Sequence, residues 1–310
     1  MGGRLQLFAG SASQTVAAAI AGAYGTELGE LELRRFRDGE MQPSFGESIR
    51  GNDIFIIQST YPGEDHIFEL LLTVDAAIRA SAKSITCVMP YFGYARQDRK
   101  DQPRVSIGAS LVAKLLCSLD VARVVTMDLH AGQIQGFFDI PVDNLDSNAI
   151  FVPYINGLGL ENLTMASPDM GGASRARRYA KHCQGDLVLV NKHRPRPNVV
   201  GQMQLIGEVE DRNVIIVDDI IDTGGTLCAA ADKIMDLGAR SVRACITHPL
   251  LSGDAIKRIE DSSLAELVVT DTIPLKTQSE KIRVLSIANI FARALRNIYE
   301  QDSVSSLFLT

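Results

Sequence analysis

Short apolar runs alternate with amphipathic stretches along the whole chain. The runs include NDIFIIQ, SITCVMPYF, RVVTMDL, DLVLVNK and NVIIVDD, and their β-branched residues favour strands. Between them lie segments with apolar residues at helical spacing, such as FELLLTVDAAIRAS and GTLCAAADKIMDLGA. Continuous apolar strands separated by helices are typical of a parallel sheet covered on both faces. The pattern therefore predicts an α/β fold.

The same alternation occurs twice, which predicts two similar domains, each a mainly parallel sheet flanked by helices. The passages ASAKSITCVMPY (residues 80–91) and LGARSVRACITH (residues 237–248) share a small, basic and Ser-containing step from helix to strand. A Pro- and Asp-rich stretch, DIPVDNLDSN, separates the halves and indicates domains at 1–147 and 148–310. The final helix, at about 287–301, can pack on either half.

Composition narrows the class of protein. The chain has 310 residues, of which 46% are hydrophobic, 22% charged and 6% aromatic, so collagen-like, disordered and disulfide-scaffold proteins are excluded. Lys and Arg number 31 against 37 Asp and Glu, for a formal net charge of −6. Because this charge repels nucleic acid and anionic membranes, we expect neither as a partner, and any phosphate binding must be local.

The cysteines and the N terminus indicate a compartment. Five cysteines lie scattered among apolar residues without a CxxC pair, which predicts buried free thiols in a reducing environment. The N-terminal residues lack the apolar core of a signal peptide, and no apolar run approaches the roughly 18 residues of a membrane-spanning helix. We expect a cytoplasmic protein.

The most informative segment is VIIVDDIIDTGGT, at residues 214–226. A buried strand ends in Asp218 and Asp219, and a Gly-rich turn then leads into a helix, which is the layout of an anion site at the edge of a sheet. The two acids would meet sugar hydroxyls. The alternative is a capped helix, but one Thr and one Gly suffice for a cap, and a carboxylate pair there has no evident structural use. The segment resembles the signature shared by phosphoribosyltransferases and ribose-phosphate pyrophosphokinases.

Other polar segments are less specific by themselves. SPDMGG (residues 167–172) predicts a second anion loop before a basic helix, and MDLH brings an acid and a histidine to the end of another strand. Basic residues with prolines in NKHRPRPNVV suit either a solvated loop or one that closes on a polyphosphate. The arginine clusters at 34–37 and 175–178 are interpreted as exposed faces. The chain has no Gly-Lys pair and hence no P-loop.

Taken together and in order, these segments resemble ribose-phosphate pyrophosphokinase, also called phosphoribosyl pyrophosphate synthetase, of the common bacterial class. The resemblance rests on RFRDGE, PYFGYARQDRK, MDLHAGQIQGFF, SPDMGG, NKHRPRPN and VDDIIDTGGT, which span nearly the whole chain. It implies two phosphoribosyltransferase-like domains, of which the first lacks the phosphoribosyl signature. It also implies transfer of the pyrophosphoryl group of ATP to the anomeric hydroxyl of ribose 5-phosphate, with release of AMP.

The resemblance assigns a role to each motif. It implies that the acids of the signature hold ribose hydroxyls and that the turn after them binds the 5-phosphate: Asp218 and Asp219, then Asp222, Thr223, Gly224, Gly225 and Thr226. The adenine nucleotide would contact five residues, the first three from a neighbouring subunit: Phe36, Asp38, Glu40, Arg96 and Gln97. His130 and Asp169 would bind Mg²⁺. Lys192 and Arg194, on a closing loop, would stabilise the transferred group. Which group acts as a base stays open, since Asp218 or Asp219 could do so.

The resemblance also implies assembly and regulation. The family forms hexamers built from dimers, with inorganic phosphate as activator and ADP as inhibitor at a subunit interface, and six residues resemble that site: Ser48, Arg50, Ser303, Ser305, Ser306 and Phe308. The segment KDQPRVSIGAS and His193 depart from the family pattern. Two alternatives remain, a phosphoribosyltransferase and a non-catalytic regulatory subunit that associates with a synthetase.

Overall fold

The structure, a computed structural model, describes residues 3–62, 65–193 and 202–307, with only the backbone of 191–193, 202 and 203. The chain forms two compact units. Unit 1 comprises residues 1–146, 272–274 and 286–310, and unit 2 comprises residues 147–271 and 275–285.

Unit 1 is built on a sheet of five parallel strands. The strands are β1 (Leu5–Ala9), β4 (Asp53–Ile57), β5 (Ser84–Met89), β6 (Arg123–Met127) and β7 (Val142–Leu145), adjacent in that order. The helices are α1 (Gln14–Tyr24), α2 (His66–Arg79), α3 (Gly108–Cys117) and α8 (Ala288–Glu300), with 3₁₀ turns at Gly132–Phe137 and Val304–Leu307. A separate antiparallel hairpin joins β2 (Leu31–Arg35) to β3 (Met41–Phe45).

The final helix belongs to unit 1. Helix α8 packs against α1, and it buries Ile290, Phe291, Ala294 and Leu295 at the spacing of one helical face. Arg296, on the same helix, donates through Nη2 to the carbonyl of the last residue of α1 at 2.5 Å. Residues 286–310 therefore lie outside the second domain that was expected to run from residue 148 to the C terminus.

Unit 2 is built on a seven-stranded sheet. The strands are β8 (Leu163–Ser167), β9 (Asp186–His193), β10 (Gln202–Ile206), β11 (Asn213–Ile221), β12 (Ser241–Pro249), β13 (Glu266–Thr270) and β14 (Ile282–Leu285). Their order is β10-β9-β8-β11-β12-β13-β14, and only the β9–β10 pair is antiparallel. The helices are α4 (Asn148–Gly157), α5 (Ala173–Cys183), α6 (Gly225–Asp236) and α7 (Ala255–Asp261).

The central strand of unit 2 explains why its sequence is continuously apolar. Side chains alternate across the sheet, so Val214 and Ile216 pack in the core that includes residues of α6. Ile215 and Val217 pack on the opposite face, in the core that includes Tyr179 of α5. Because both faces of β11 are covered by helices, every residue from 214 to 217 is buried.

The two units share one topology. In each, the first strand, the strand after a hairpin and the next three strands are adjacent in the same order: β1-β4-β5-β6-β7 and β8-β11-β12-β13-β14. The sequence prediction of two similar, mainly parallel α/β domains is confirmed. The loop between β1 and α1 therefore corresponds to the loop between β8 and α5, and the loop after β4 corresponds to the loop after β11.

Candidate active site

An acid pair lies on the central strand of unit 2. Strand β11 does not end at Asp218 and Asp219, as the sequence suggested, but continues to Ile221, because Ile220 and Ile221 pair in register with His248 and Pro249 of β12. The side chain of Asp219 is 6% exposed and that of Asp218 is 23% exposed. Two carboxylates are thus held side by side in a largely water-excluded position.

Arg175 of helix α5 joins the two carboxylates. Its Nη1 atom lies 2.6 Å from Oδ1 of Asp219 and 3.2 Å from Oδ1 of Asp218, and the backbone N–H of Asp219 also donates to Oδ1 of Asp218 at 2.9 Å. The expectation that the 175–178 cluster is an exposed face is wrong for Arg175, although it holds for Arg177. The acid pair therefore has a structural partner that the sequence did not reveal.

Burial and charge act together on the acid pair. Burial raises the pKa of Asp218 above the ordinary carboxyl value, and the neighbouring charge of Asp219 raises it further. The positive charge of Arg175 opposes both effects and lowers the pKa. The pair consequently holds a proton more readily than two exposed carboxylates would.

The turn after β11 presents the start of a helix. Gly224 is the N-cap of α6 and has a left-handed backbone with φ of 74°, a conformation that glycine adopts without penalty. The carbonyls of the two residues before Gly224 accept hydrogen bonds from neighbouring groups. Ser252 N–H donates to Asp222 O at 3.0 Å, and Arg258 Nη1 donates to Thr223 O at 2.8 Å. The first N–H groups of any α-helix have no acceptor within the helix, so this end of α6 suits an anion.

A second turn lies beside the acid pair, between β8 and α5. Oδ1 of Asp169 accepts hydrogen bonds from the N–H groups of Gly171 at 2.8 Å and Gly172 at 3.1 Å. A Cβ atom on Gly172 would lie only 2.6 Å from Oγ of Ser167 and 3.8 Å from Oδ1 of Asp218, so a close approach of the turn to the strands requires glycine. Asp169 itself is exposed.

The candidate nucleotide residues of unit 1 follow adjacent strands. Arg96 and Gln97 lie in the segment after β5, and His130 follows β6, so all three belong to the same edge of the sheet. Nε2 of Gln133 donates to Oδ2 of Asp98 at 2.9 Å and connects the two segments. The three candidate side chains are exposed.

Phe36, Asp38 and Glu40 lie at the tip of the β2–β3 hairpin. The five residues from 36 to 40 are all exposed, and the Glu40 N–H donates to Oδ1 of Asp38 at 3.1 Å. The guanidinium of Arg34 lies 4.7 Å from the centroid of the Phe36 ring. The hairpin thus presents an aromatic ring, a cation and carboxylates at its tip.

In unit 1, a carboxylate of the protein accepts the hydrogen bonds of the turn between β1 and α1. The N–H of Ser11, in the turn between β1 and α1, donates to Oε1 of Glu69 at 2.7 Å, and the Ser11 hydroxyl donates to Oε2. The next N–H, that of Ala12, donates to Oε1 of Gln58 at 3.1 Å. Glu69 is 2% exposed. Protein acceptors therefore occupy the turn that corresponds to the exposed turn of Asp169 in unit 2.

The remaining candidates lie elsewhere. Lys192 is on β9, where its backbone pairs with Met203 of β10, and Arg194 and Phe308 lie outside the described residues. Nη1 of Arg50 donates to Oγ of Ser81 at 3.2 Å, and Ser48 is exposed. The tail is folded locally: the carbonyl of Ser303 accepts from Asn297 at 2.8 Å and from Ser306 Oγ at 3.2 Å, and the Ser305 N–H donates to Ser303 Oγ at 3.2 Å.

The described residues form no cluster of three or more His, Cys, Asp or Glu side chains able to enclose a metal ion. None of the helices in the described part of the chain is long and apolar enough to cross a membrane.

Comparison with known proteins places the chain in a family. Residues 5–119 match a family model described as the N-terminal domain of ribose phosphate pyrophosphokinase, and residues 171–309 match the phosphoribosyl synthetase-associated domain. Ribose-phosphate pyrophosphokinase of Campylobacter jejuni is 51% identical over 98% of this chain and 99% of its own. That of Porphyromonas gingivalis is 48% identical over 97% of both chains.

A solved structure agrees with the sequence relatives. The crystal structure of phosphoribosylpyrophosphate synthetase from Mycobacterium smegmatis has a TM-score of 0.91 and 35% identity, and the match covers 96% of this chain and 99% of that one. Full-length similarity to pyrophosphokinases favours this activity over the two alternatives, the phosphoribosyltransferase and the regulatory subunit. The chain belongs to the ribose-phosphate pyrophosphokinase family, the enzymes that transfer the pyrophosphoryl group of ATP to ribose 5-phosphate.

Proposed function

We propose that unit 2 binds ribose 5-phosphate and that unit 1 contributes the nucleotide-binding residues of the pyrophosphokinase reaction. The observation that carries the proposal is the acid pair, Asp218 and Asp219, on the strand that leads into a glycine turn and a helix N terminus. Carboxylate oxygens accept hydrogen bonds from a sugar diol, and the helix end favours a phosphate.

The phosphate is expected at the turn of residues 222–226. Thr223 and Thr226 add hydroxyl donors to the N–H groups of Gly224 and Gly225, while the carbonyls of Asp222 and Thr223 are occupied by Ser252 and Arg258. Because those carbonyls already have donors within the protein, the N–H groups and hydroxyls of the turn are the groups proposed to meet the phosphate.

For the nucleotide, we propose the exposed candidates of unit 1: Phe36, Asp38, Glu40, Arg96 and Gln97. An aromatic ring beside an arginine offers a stacking surface for a purine, and the carboxylates offer acceptors for its amino group. Because the hairpin tip of residues 36–40 is exposed, we propose that it reaches a neighbouring subunit of a homo-oligomer, a hexamer built from dimers.

Mg²⁺ fits the donors that this chain offers. A magnesium ion bound with a nucleotide usually takes one or two protein ligands and keeps waters and phosphate oxygens. Asp169 offers an exposed carboxylate and His130 an exposed ring, and each is proposed as one such protein ligand, whereas an all-protein cage would need a cluster that the described residues lack. The ion would neutralise charge on the transferred group. Asp169 would hold it and, through its bonds to Gly171 and Gly172, would fix the β8–α5 turn.

Lys192 and Arg194 are proposed to stabilise the group in transfer. Phosphoryl-type transfer depends chiefly on positioning and charge neutralisation, and two cations near the transferred group would supply the second. Lys192→Ala or Arg194→Ala should lower kcat by on the order of 10²–10³ with smaller effects on KM. An unchanged kcat in a folded variant would remove that residue from the mechanism.

The sugar site is tested by initial rates of AMP release from ATP and ribose 5-phosphate. Asp219→Asn and Thr226→Val should raise KM for ribose 5-phosphate by about ten-fold or more while KM for ATP stays nearly constant. The matched control is Asp236→Asn, which changes an acid at the far end of α6. If KM for ribose 5-phosphate does not change in the two site variants, the sugar site lies elsewhere.

The shared site is tested by mixing two impaired variants, assayed at substrate concentrations well below the raised KM values. Phe36→Ala damages only the proposed nucleotide contact, and Asp219→Asn damages only the proposed sugar contact. If both residues of one site come from different subunits, co-expressed mixed oligomers should recover activity at about one quarter of their sites. If each subunit builds its whole site alone, no mixed site is intact and activity is not recovered.

Activation by inorganic phosphate is proposed to involve Ser48 and Arg50 together with Ser303, Ser305, Ser306 and Phe308. The same rate measurements with and without phosphate test it, and Arg50→Ala should reduce the activation. A cytoplasmic location is also proposed, in keeping with the five free cysteines.

A further inference from the structure

We propose that Arg175 is a positioning residue of the sugar site, which holds Asp218 and Asp219 in the arrangement that a ribose diol requires. The inference rests on the proposed function, in which the acid pair receives the sugar hydroxyls. Arg175 acts through the two carboxylates and need not touch the substrate.

The geometry is that of a shared cation. One nitrogen atom, Nη1 of Arg175, is within hydrogen-bond distance of an Oδ1 atom of each acid, at 2.6 Å and 3.2 Å. The backbone N–H of Asp219 also donates to the Oδ1 of Asp218. These contacts restrain both carboxylates from one side. An ionised carboxylate can accept about four hydrogen bonds, so the bonds to Arg175 leave acceptor capacity for a diol.

The position of Arg175 on its helix is unfavourable by itself. It is the third residue of α5, and the N terminus of a helix carries partial positive charge, which disfavours a cation. Its side chain is only 13% exposed, so it also loses most of its hydration. Arg177, two residues later, remains exposed. The attraction of the two carboxylates helps to offset these costs, which ties the placement of Arg175 to the acid pair.

The positive charge of Arg175 is the second part of its positioning role. Two adjacent buried carboxylates repel each other and tend to take up a proton, and a protonated oxygen donates where a sugar hydroxyl needs an acceptor. A guanidinium stays charged at every accessible pH and is planar, so it can hold two acids in fixed directions. A lysine would restore the charge but not the geometry.

The test compares three variants in the full enzyme by steady-state kinetics. Arg175→Met should raise KM for ribose 5-phosphate by about ten-fold or more, with KM for ATP changed by less than about two-fold. Arg175→Lys should recover part of that loss. Arg177→Met removes a charge of the same kind from the same helix and should leave both KM values unchanged.

The outcomes separate this inference from the proposed sugar site. If Arg175→Met changes KM for ATP and not KM for ribose 5-phosphate, Arg175 serves the nucleotide and the proposal is overturned. If Asp219→Asn raises KM for ribose 5-phosphate while Arg175→Met does not, the sugar site stands and only the positioning role fails. If neither variant changes that KM, the sugar site itself is wrong.

Folding is controlled within the same experiment. Should Arg175→Met fail to fold, as judged by circular dichroism, Arg175→Lys decides the question, because it keeps the charge. A selective rise in KM for ribose 5-phosphate in Arg175→Lys supports the proposal, and wild-type kinetics in that variant overturn it.

Discussion

Two adjacent glycines at the start of α6 should respond to the same substitution with opposite signs. Gly224 has φ of 74°, whereas Gly225 is the first residue of the helix. Alanine has a Cβ atom that disfavours the left-handed backbone and favours the helical one. We therefore expect Gly224→Ala to destabilise the protein and Gly225→Ala to be neutral or stabilising.

The structure sets the size of the two effects. A Cβ atom on Gly224 would meet its nearest neighbour, the carbonyl oxygen of Ala255, at 3.6 Å, which is ordinary contact, so the cost is the backbone strain of about 1–2 kcal/mol. A Cβ atom on Gly225 would lie 3.9 Å from Oγ1 of Thr223, and alanine in a helix is favoured over glycine by about 0.5–1 kcal/mol. The two variants should therefore differ by about 2 kcal/mol.

Urea unfolding without substrate measures the difference. At an unchanged slope with denaturant, the free energy of unfolding should fall for Gly224→Ala and stay level or rise for Gly225→Ala. Adding ribose 5-phosphate then reports on binding, because a ligand stabilises only a fold that holds it. Equal stability of the two variants would refute the reasoning, since it would mean that the left-handed backbone is not what glycine provides at position 224.

Three further predictions concern other contacts. Arg258→Ala removes the donor to Thr223 O and should raise KM for ribose 5-phosphate a few-fold. Lys257→Ala, at an exposed neighbouring position, should leave this KM unchanged. Equal effects of the two variants would show that the bond from Arg258 to Thr223 does not matter for sugar binding. Glu69→Ala leaves the donors of Ser11 without their acceptor and should lower the free energy of unfolding by about 1–3 kcal/mol; a smaller change in urea unfolding would show that water replaces it. Because burial raises the pKa of Asp218, the folded state binds its proton more tightly, so stability should fall as pH rises from the ordinary carboxyl pKa towards the raised one. Asp218→Asn should flatten that slope in a pH series of unfolding, and an unchanged slope would contradict the assignment.

The sequence predicted the sheets and the acid pair because their signals are local. Strand β11 is apolar on both faces and is followed by a glycine turn, so Asp218 and Asp219 could be placed at an edge of the sheet from spacing alone. The extension of the strand to Ile221 could not be foreseen, because it depends on pairing with β12, which is distant in sequence.

Arg175 was missed because a basic helix looks exposed in sequence. A usable signal existed: Arg175 precedes Tyr179 by four residues, and Tyr179 is buried, so the two share one face of α5. The β2–β3 hairpin was missed in a similar way. Its turn contains Asp38-Gly39 between two strands, a typical hairpin signal that the surrounding arginines obscured.

The division of the chain could not be predicted from composition. Residues 272–274 and 286–310 belong to unit 1, although they follow most of unit 2 in sequence. What assigns the last helix is the packing of its apolar face against α1, and an apolar face by itself fits either domain.

In unit 1, the buried carboxylate of Glu69 takes the place that an anionic ligand could have in the turn between β1 and α1. Its carboxylate accepts both Ser11 donors, so the first turn of unit 1 is completed by the protein's own side chain. In unit 1 these donors are therefore not open to the phosphate of a ligand. What unit 1 can offer a ligand is left to its exposed positions, the hairpin tip of residues 36–40 among them.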